Sequence, residues 1–336
     1  MQNGIVVAGY LGVDVLKEVT GFPQAHELDN IESVTLALGG LVNNCGRSLA
    51  LLDPNLPVRA CGRIGTDGYG DELLRQLGKY KNIDTSMLLR EGQTAFSDVL
   101  SNIHTRERAF LTFMGASAEF SERHVPIDEL DCKIFHVGYV LLLKSLDEPD
   151  EEFGTKMARL MKRVQERGIW TSVDVITNAS GRHKDLMPPA MKYADILCIN
   201  EHEAAASIGI RLRDGDDRLI LENIPKALAR FKELGVRRWA AIHAPEGGFG
   251  LDEHGKYHVV PGAIVPKEFI AGTVGAGDAF ASGLLLGAYR DRPMDEALEY
   301  AIAAAVSSLS KGDASEGVLE LGDALKLLGT FERRRF

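Results

Sequence analysis

Near the carboxyl end of the chain a run of small residues closes on a single acid, Ala271-Gly272-Thr273-Val274-Gly275-Ala276-Gly277-Asp278-Ala279. An apolar helical pattern, Phe280 to Tyr289, begins directly after it. A glycine turn entering a helix presents several backbone N–H groups without intrahelical partners, and the helix dipole adds partial positive charge there. Such a turn attracts phosphate. A carboxylate beside a phosphate is unfavourable for plain anion binding, because the two charges repel. It makes chemical sense when the acid orients and deprotonates a hydroxyl that attacks phosphorus, which is phosphoryl transfer. Tight turns with a capping Asp also occur without any chemistry, so the loop alone leaves both readings open. No GxxxxGK(S/T) motif occurs anywhere, which excludes a Walker loop. Phe280 stands where a dinucleotide fingerprint needs its third Gly, and the run falls late in the chain instead of in a first βαβ unit.

The elements around this loop must bring a hydroxyl to it. Short β-branched apolar runs alternate with helical patterns, which predicts a mainly parallel sheet with helices on both faces. Strands are expected at 5–8, 58–61, 134–137, 170–173, 196–199 and 239–242. Helices are clearest at 42–52, 153–167, 224–233 and 294–309, the third opened by Pro225 with Asn223 as its cap. Asp14 follows the first strand, Asp174 and Asn200 end two others, and His243 ends another. Ligands of open α/β sheets bind outside the carboxyl ends of strands, so these residues, each an ordinary turn or cap residue alone, together mark a site. Two segments break the alternation, about 15–38 and 94–114. Stretches such as Ser33-Val34-Thr35-Leu36-Ala37-Leu38 and Phe96-Ser97-Asp98-Val99-Leu100-Ser101 predict a small antiparallel sheet, read as a lid over the strand ends or as an edge sheet that only packs. Residues 1–336 read as a single domain.

The 336 residues, 45% hydrophobic and 26% charged, suit a globular α/β domain with a full core. A net charge of −10 argues against an extended nucleic-acid surface. Cys45, Cys61, Cys132 and Cys198 are scattered without C-x-x-C spacing, as expected for reduced thiols in a cytoplasmic protein. No signal peptide is visible, and no apolar stretch reaches the about 20 residues of a membrane span.

With these motifs in order, the sequence resembles the ribokinase-like carbohydrate kinases, also called the PfkB family, over nearly its whole length. Gly272 to Asp278 is similar to that family's D-T-x-G-A-G-D signature; Gly39-Gly40-Leu41-Val42-Asn43-Asn44 with Gly62 to Gly70 is similar to its first signature; Asn200-Glu201-His202-Glu203 matches N-x-x-E. The resemblance implies a ribokinase-like fold and transfer of phosphate from ATP, with Mg²⁺, to a hydroxyl of a sugar or sugar-like molecule. It implies Asp278 as general base and the N–H groups of Gly275, Ala276 and Gly277 as an anion hole. Asp14, Gly39, Gly40 and Asn44 would hold the acceptor, joined by Arg108 from the lid segment Arg106-Glu107-Arg108-Ala109-Phe110. Thr273, Asn200, His243 and Gly248 would meet the nucleotide, and Glu203 would organise Mg²⁺ through water. Asn200 and Glu203 also read as a helix cap and first-turn acid, Arg108 equally as an exposed hairpin charge, and His243 rather more as a strand-end residue.

The sequence departs from the family at three places. Gly272 stands where the family carries an Asp tied to monovalent-cation binding, which counts against potassium activation. Pro245, in His243-Ala244-Pro245-Glu246-Gly247-Gly248, removes an N–H donor near the nucleotide. The stretch Asp174 to Arg182 only loosely follows an Asp-Pro-Asn-x-Arg pattern. The reading is therefore a cytoplasmic sugar kinase, homodimeric through lid sheets whose edges would otherwise stay unpaired. Two alternatives differ in kind. A nucleoside kinase of the same fold would stack its base on Tyr10, Phe96, Phe113 or Tyr139; a catalytically weak ligand-binding homologue would have kept only the scaffold.

Overall fold

The computed structural model describes residues 3–105 and 107–336; Met1, Gln2 and Arg106, the last inside the second lid segment, lie outside the described residues. Among the described residues the chain runs β1 (Ile5–Gly9), β2 (Gly12–Val19), β3 (Ile31–Gly39), α1 (Leu41–Leu52), β4 (Val58–Ile64), α2 (Gly68–Leu77), β5 (Ile83–Arg90), β6 (Ala95–Asn102), β7 (Arg108–Phe113) and α3 (Gly115–Ala118). It continues β8 (Ile134–Val140), β9 (Pro149–Asp150), β10 (Gly154–Thr155), α4 (Lys156–Glu166), β11 (Trp170–Val175), α5 (His183–Met191), β12 (Ile196–Asn200), α6 (Glu201–Ile208) and α7 (Ile224–Leu234). The last elements are β13 (Trp239–Ala244), β14 (Gly247–Leu251), β15 (Tyr257–Pro261), α8 (Ala276–Tyr289), α9 (Met294–Ser308) and α10 (Leu321–Leu328).

Nine strands form one sheet in the order β15-β14-β13-β12-β11-β8-β1-β4-β5. From β13 to β5 every pairing is parallel, while β14 and β15 close one edge antiparallel. The period-2 alternation of each strand feeds two apolar layers. Ile5 and Val7 of β1 pack with α1, α8 and α9, whereas Val6 and Ala8 pack with α4, α5 and α7. Such strands, buried on both faces, read in sequence as unbroken apolar runs. A wholly buried side chain of these layers, Leu284 of α8 or Phe231 of α7, is worth about 2–5 kcal/mol against Ala.

A second sheet has the order β3-β2-β6-β7. The sequence predicts an antiparallel sheet, but the central pair β2–β6 is parallel, because the chain returns to it only after β4, α2 and β5. Register fixes what lies level with what. Ala37, Asp14, Ser97 and Thr112 form one row across the sheet; Ser33, Glu18, Ser101 and Arg108 form another, four residues along.

All six expected strands are present. The 153–167 helix begins later, at Lys156, because Thr155 caps it by accepting the Ala158 N–H at 3.1 Å. Asn223 does not cap α7: its side chain instead donates to the Arg211 carbonyl at 2.9 Å. No helix among the described residues is long and apolar enough to cross a membrane.

Candidate functional site

The acid of the glycine loop sits in the first turn of α8 and is buried. Gly275 caps that helix at φ 78°, a left-handed conformation, and a Cβ there would stand 2.3 Å from the Ala314 carbonyl oxygen. Only glycine fits. The Ala276 N–H is already turned back to the Thr273 carbonyl at 3.3 Å, so the three-amide anion hole expected from sequence is reduced to the Gly275 and Gly277 N–H groups. Asp278 itself is held from several sides. Asn44 Nδ2 donates to its Oδ2 at 2.9 Å, and the Tyr139 hydroxyl lies 2.7 Å from both oxygens. Cys45 Sγ is 3.6 Å from Oδ1, and Ser282 Oγ donates to the Asp278 carbonyl at 2.7 Å. Burial pushes the Asp278 carboxyl above its ordinary range, opposed by the donors Tyr139, Asn44 and Cys45. A raised carboxylate pKa makes a stronger base, which is what proton removal from an alcohol needs.

Asn44 ties this acid to the amino-terminal elements. It lies one turn into α1, whose cap Gly40 has φ 91° and accepts the Asn44 N–H at 2.9 Å; the Val42 N–H is fixed to the Tyr10 carbonyl at 3.2 Å. Asn44 Oδ1 is buried without a partner among the described residues. Asp14 lies on β2 of the small sheet, and a Cβ on Gly39 would come within 2.8 Å of its Oδ2, so Gly39 leaves room for the carboxylate. Burial, and secondly Asp313, push the Asp14 carboxyl up to about 6. Tyr10, whose hydroxyl is pushed above the phenol range by burial and then by Asp14, lies 6.5 Å ring to ring from Tyr139. Two series of contacts link the acids: Tyr10, which feels the Asp14 charge, lies beside Tyr139 and so Asp278, and the turn from Gly39, against Asp14, leads to Asn44 on Asp278.

Arg108 does not join them within this chain. It is exposed and level with Glu18, roughly 13 Å along the strand from the Asp14 row at about 3.4 Å per residue.

On the opposite side, Asn200 and Glu203 form a reciprocal cap at the start of α6. Asn200 Oδ1 accepts the Glu203 N–H at 2.8 Å, and Glu203 Oε2 accepts the Asn200 N–H at 3.0 Å. Thr177 donates to Glu203 Oε1 at 2.8 Å. Burial raises the Glu203 carboxyl; burial, then Glu203 and Asp278, raise Asp174 well above the carboxylate range. Asp174, Glu203 and Asp278 therefore lie within range of one another's charge, and none of them has a Lys or Arg ion pair among the described residues. No group of three or more His, Cys, Asp or Glu side chains is placed to hold a metal ion directly among the described residues. Buried carboxyls with no protein cation beside them suit a divalent cation that keeps its water, and do not suit a dehydrated cage.

His243, on β13, lies under the glycine loop. Its ring stacks on Phe280 at 4.9 Å, and a Cβ on Gly277 would meet its Cε1 at 3.3 Å. Burial pushes it down to about 4, so it is neutral at pH 7. Gly248 packs behind it, where a Cβ would stand 2.9 Å from Phe280 Cζ; Gly248 makes room for the phenyl ring and lines packed interior. Thr273 is exposed on the loop, and Pro245 sits in the two-residue turn between β13 and β14. Sequence reasoning weighed Tyr139 only as a stacking surface and missed its bond to Asp278. The signal available was its place at the carboxyl end of a core strand.

Residues 2–320 match the family described as pfkB family carbohydrate kinase. Among characterised relatives, a ribokinase of Arabidopsis thaliana is 23% identical over 96% of this chain and 80% of its own length. A cytidine kinase of Thermococcus kodakarensis is 24% identical over 91% of this chain and 96% of its own. The structure of Arabidopsis thaliana ribokinase complexed with ribose and ATP superposes with a TM-score of 0.78 at 19% identity, over 98% of this chain and 99% of that one. The fold is ribokinase-like.

Proposed function

The chain belongs to the pfkB family of carbohydrate kinases, and from that membership we propose how its own residues carry out the reaction. Its activity is ATP-dependent phosphoryl transfer to a hydroxyl of a sugar or nucleoside. Asp278 removes the proton of the acceptor hydroxyl. The Gly275 and Gly277 N–H groups hold the transferring phosphoryl oxygens, at a helix N-terminus where developing charge is stabilised without reorganisation. Asp14 and the unpartnered Asn44 Oδ1 receive further acceptor hydroxyls, since paired acceptors suit adjacent O–H donors. Glu203 would hold Mg²⁺ through its water with Asn200 beside it at the nucleotide, and the ion would supply neutralisation of the ATP phosphate charge. With a Gly at 272, turnover needs no potassium.

The single observation that carries this reading is the Asn44–Asp278 bond at 2.9 Å. It fastens the acceptor elements to the phosphate loop across 234 residues of sequence. A sugar acceptor is favoured over a nucleoside. Phe96 is already packed between Tyr69 and Phe113, at 5.8 and 5.6 Å, and Tyr139 is engaged with Asp278. Neither Phe96 nor Tyr139 is left free as a stacking platform; of the other two candidates Tyr10 is buried and Phe113 is 42% exposed on the outer strand β7.

The small sheet acts as a lid whose closure excludes water, within one kinase domain spanning the chain. Its outer strands expose Val34 (56%), Leu36 (52%) and Leu111 (67%), an apolar surface that supports homodimerisation lid to lid. The four free, buried cysteines suit the cytoplasm. The test is ADP release with ATP and Mg²⁺ across a panel of neutral sugars, phosphorylated sugars and nucleosides. Saturable turnover with a sugar is expected; transfer to no member of the panel refutes the reading.

A further inference from the structure

We propose that Tyr139 is a positioning residue that masks the base: its hydroxyl occupies the acceptor alcohol's seat on Asp278 and yields only to an acceptor that displaces it. The proposal rests on the kinase reading above and adds a control over when Asp278 is available.

A single O–H can donate to one oxygen at a time. A hydroxyl 2.7 Å from both carboxylate oxygens therefore lies on the open edge between them, where an incoming alcohol would donate its proton. The other approaches are taken. Asn44 holds Oδ2 and Cys45 lies against Oδ1, both from the buried helix α1. The Asp278 carboxylate is anchored by Asn44 and Cys45, on a backbone set in the first turn of α8 with its carbonyl held by Ser282. Tyr139 is the movable partner. It is partly exposed, at the carboxyl end of β8, and its ring neighbours Tyr10 on the Asp14 side, where the acceptor must enter.

The chemical consequence concerns water. In productive transfer the acceptor oxygen forms a bond to the γ-phosphorus as its proton passes to Asp278. The bond from that phosphorus to the β,γ-bridging oxygen breaks, and its electron pair leaves on ADP. Water in the same seat would run the same steps and release phosphate and ADP. The Tyr139 hydroxyl keeps water off the base while being a poor nucleophile itself, since burial and then Asp278 hold its proton well above the phenol range.

Tyr139→Phe keeps the ring beside Tyr10 and removes only the O–H. ADP release with ATP and Mg²⁺ but no acceptor is expected to rise about tenfold, equivalent to about 1.4 kcal/mol. KM for the acceptor should fall while kcat changes little, because no hydroxyl has to be displaced. The titratable groups facing Asp278 are Cys45 on α1, Tyr139 on β8, Asp174 on β11 and Glu203 on α6. Losing a donor to the carboxylate destabilises its charged form, so the acid limb of kcat/KM should move to higher pH in Y139F. In the double variant Y139F/D278N the leak should vanish. Unchanged ADP release in Y139F overturns the proposal. So does a leak that persists without Asp278, which would be structural loosening. The leak requires no acceptor, so this outcome is independent of the panel result that decides the kinase reading.

Discussion

Replacing Asp14 with asparagine should stabilise the protein and cripple it together. No side-chain or backbone donor bonds the Asp14 carboxylate among the described residues, and no cation pairs with it, so the amide forfeits no contact. The carboxyl is pushed from 3.8 up to about 6 by burial and then by Asp313. A carboxyl raised on folding carries no penalty below its unfolded pKa, where both states are protonated. As pH rises from about 4 towards about 6, the unfolded chain ionises first and the folded state loses stability; above that window the loss is constant. At about 1.36 kcal/mol per pKa unit, the full loss is about 3 kcal/mol. D14N has no such term. Its advantage over wild type should therefore grow by about 2 kcal/mol between pH 4.5 and pH 8, read by urea denaturation at the two pH values. Loss of one charged hydrogen bond to the acceptor, about 1.5–3 kcal/mol, should raise KM for the sugar roughly tenfold to a hundredfold. A D14N protein less stable than wild type at pH 8, or an offset that does not vary with pH, would refute the premise that Asp14 is an unsatisfied charge kept for the acceptor.

Three further outcomes follow from the same geometry. Asp278→Asn should lower kcat by a factor on the order of 10²–10⁴ while calorimetric ATP binding persists; retained turnover would remove Asp278 as the base. Leu111→Glu, at a position 67% exposed on the outer strand β7, should shift sedimentation from dimer to monomer, and an unchanged mass would exclude the lid as the interface. Replacing potassium with a bulky organic cation should leave kcat within about twofold, because no carboxylate stands at Gly272; steep potassium activation would show that another group supplies the site.

The sheet was legible because its strands are buried on both faces and so stand out as apolar runs between amphipathic helices. β14 was not, because Gly247-Gly248-Phe249-Gly250-Leu251 carries little β-branched side chain; its pairing partners, and Gly248's role in admitting Phe280, come from tertiary contacts. β5 was equally hidden, with Asp84, Ser86 and Arg90 among its residues. The glycine turn at the head of α8 was legible, since positive φ at Gly275 is a local property. The use of the Ala276 N–H within the turn was not, and it takes one of the three expected donors, leaving the Gly275 and Gly277 pair. Arg108 was displaced by register. Nothing in the order of residues says that β7 pairs so as to put Thr112, and not Arg108, level with Asp14.

The deeper reason that the site was only partly readable is that its charges come from different sheets. Asp14 belongs to the small sheet, Asp174 lies near the end of a core strand, Glu203 follows one, and Asp278 heads a helix. Each alone is an ordinary turn, cap or edge acid. Their raised carboxyls arise first from burial on folding and, for Asp14, Asp174 and Glu203, secondarily from a neighbouring acid, with no cation paired to any of the four. Cations elsewhere in the chain are spent on other partners: Arg47 reaches Asp313 at 3.3 Å, and Lys17 holds Asp98 on the other face of the small sheet. Asp14, Asp174, Glu203 and Asp278 have no ion pair among the described residues, as is also true of the buried Asp147 elsewhere. Acids gathered without a cation near the glycine loop suit a cationic or hydroxyl-bearing ligand, which is what the proposed magnesium-bound ATP and polyol would supply.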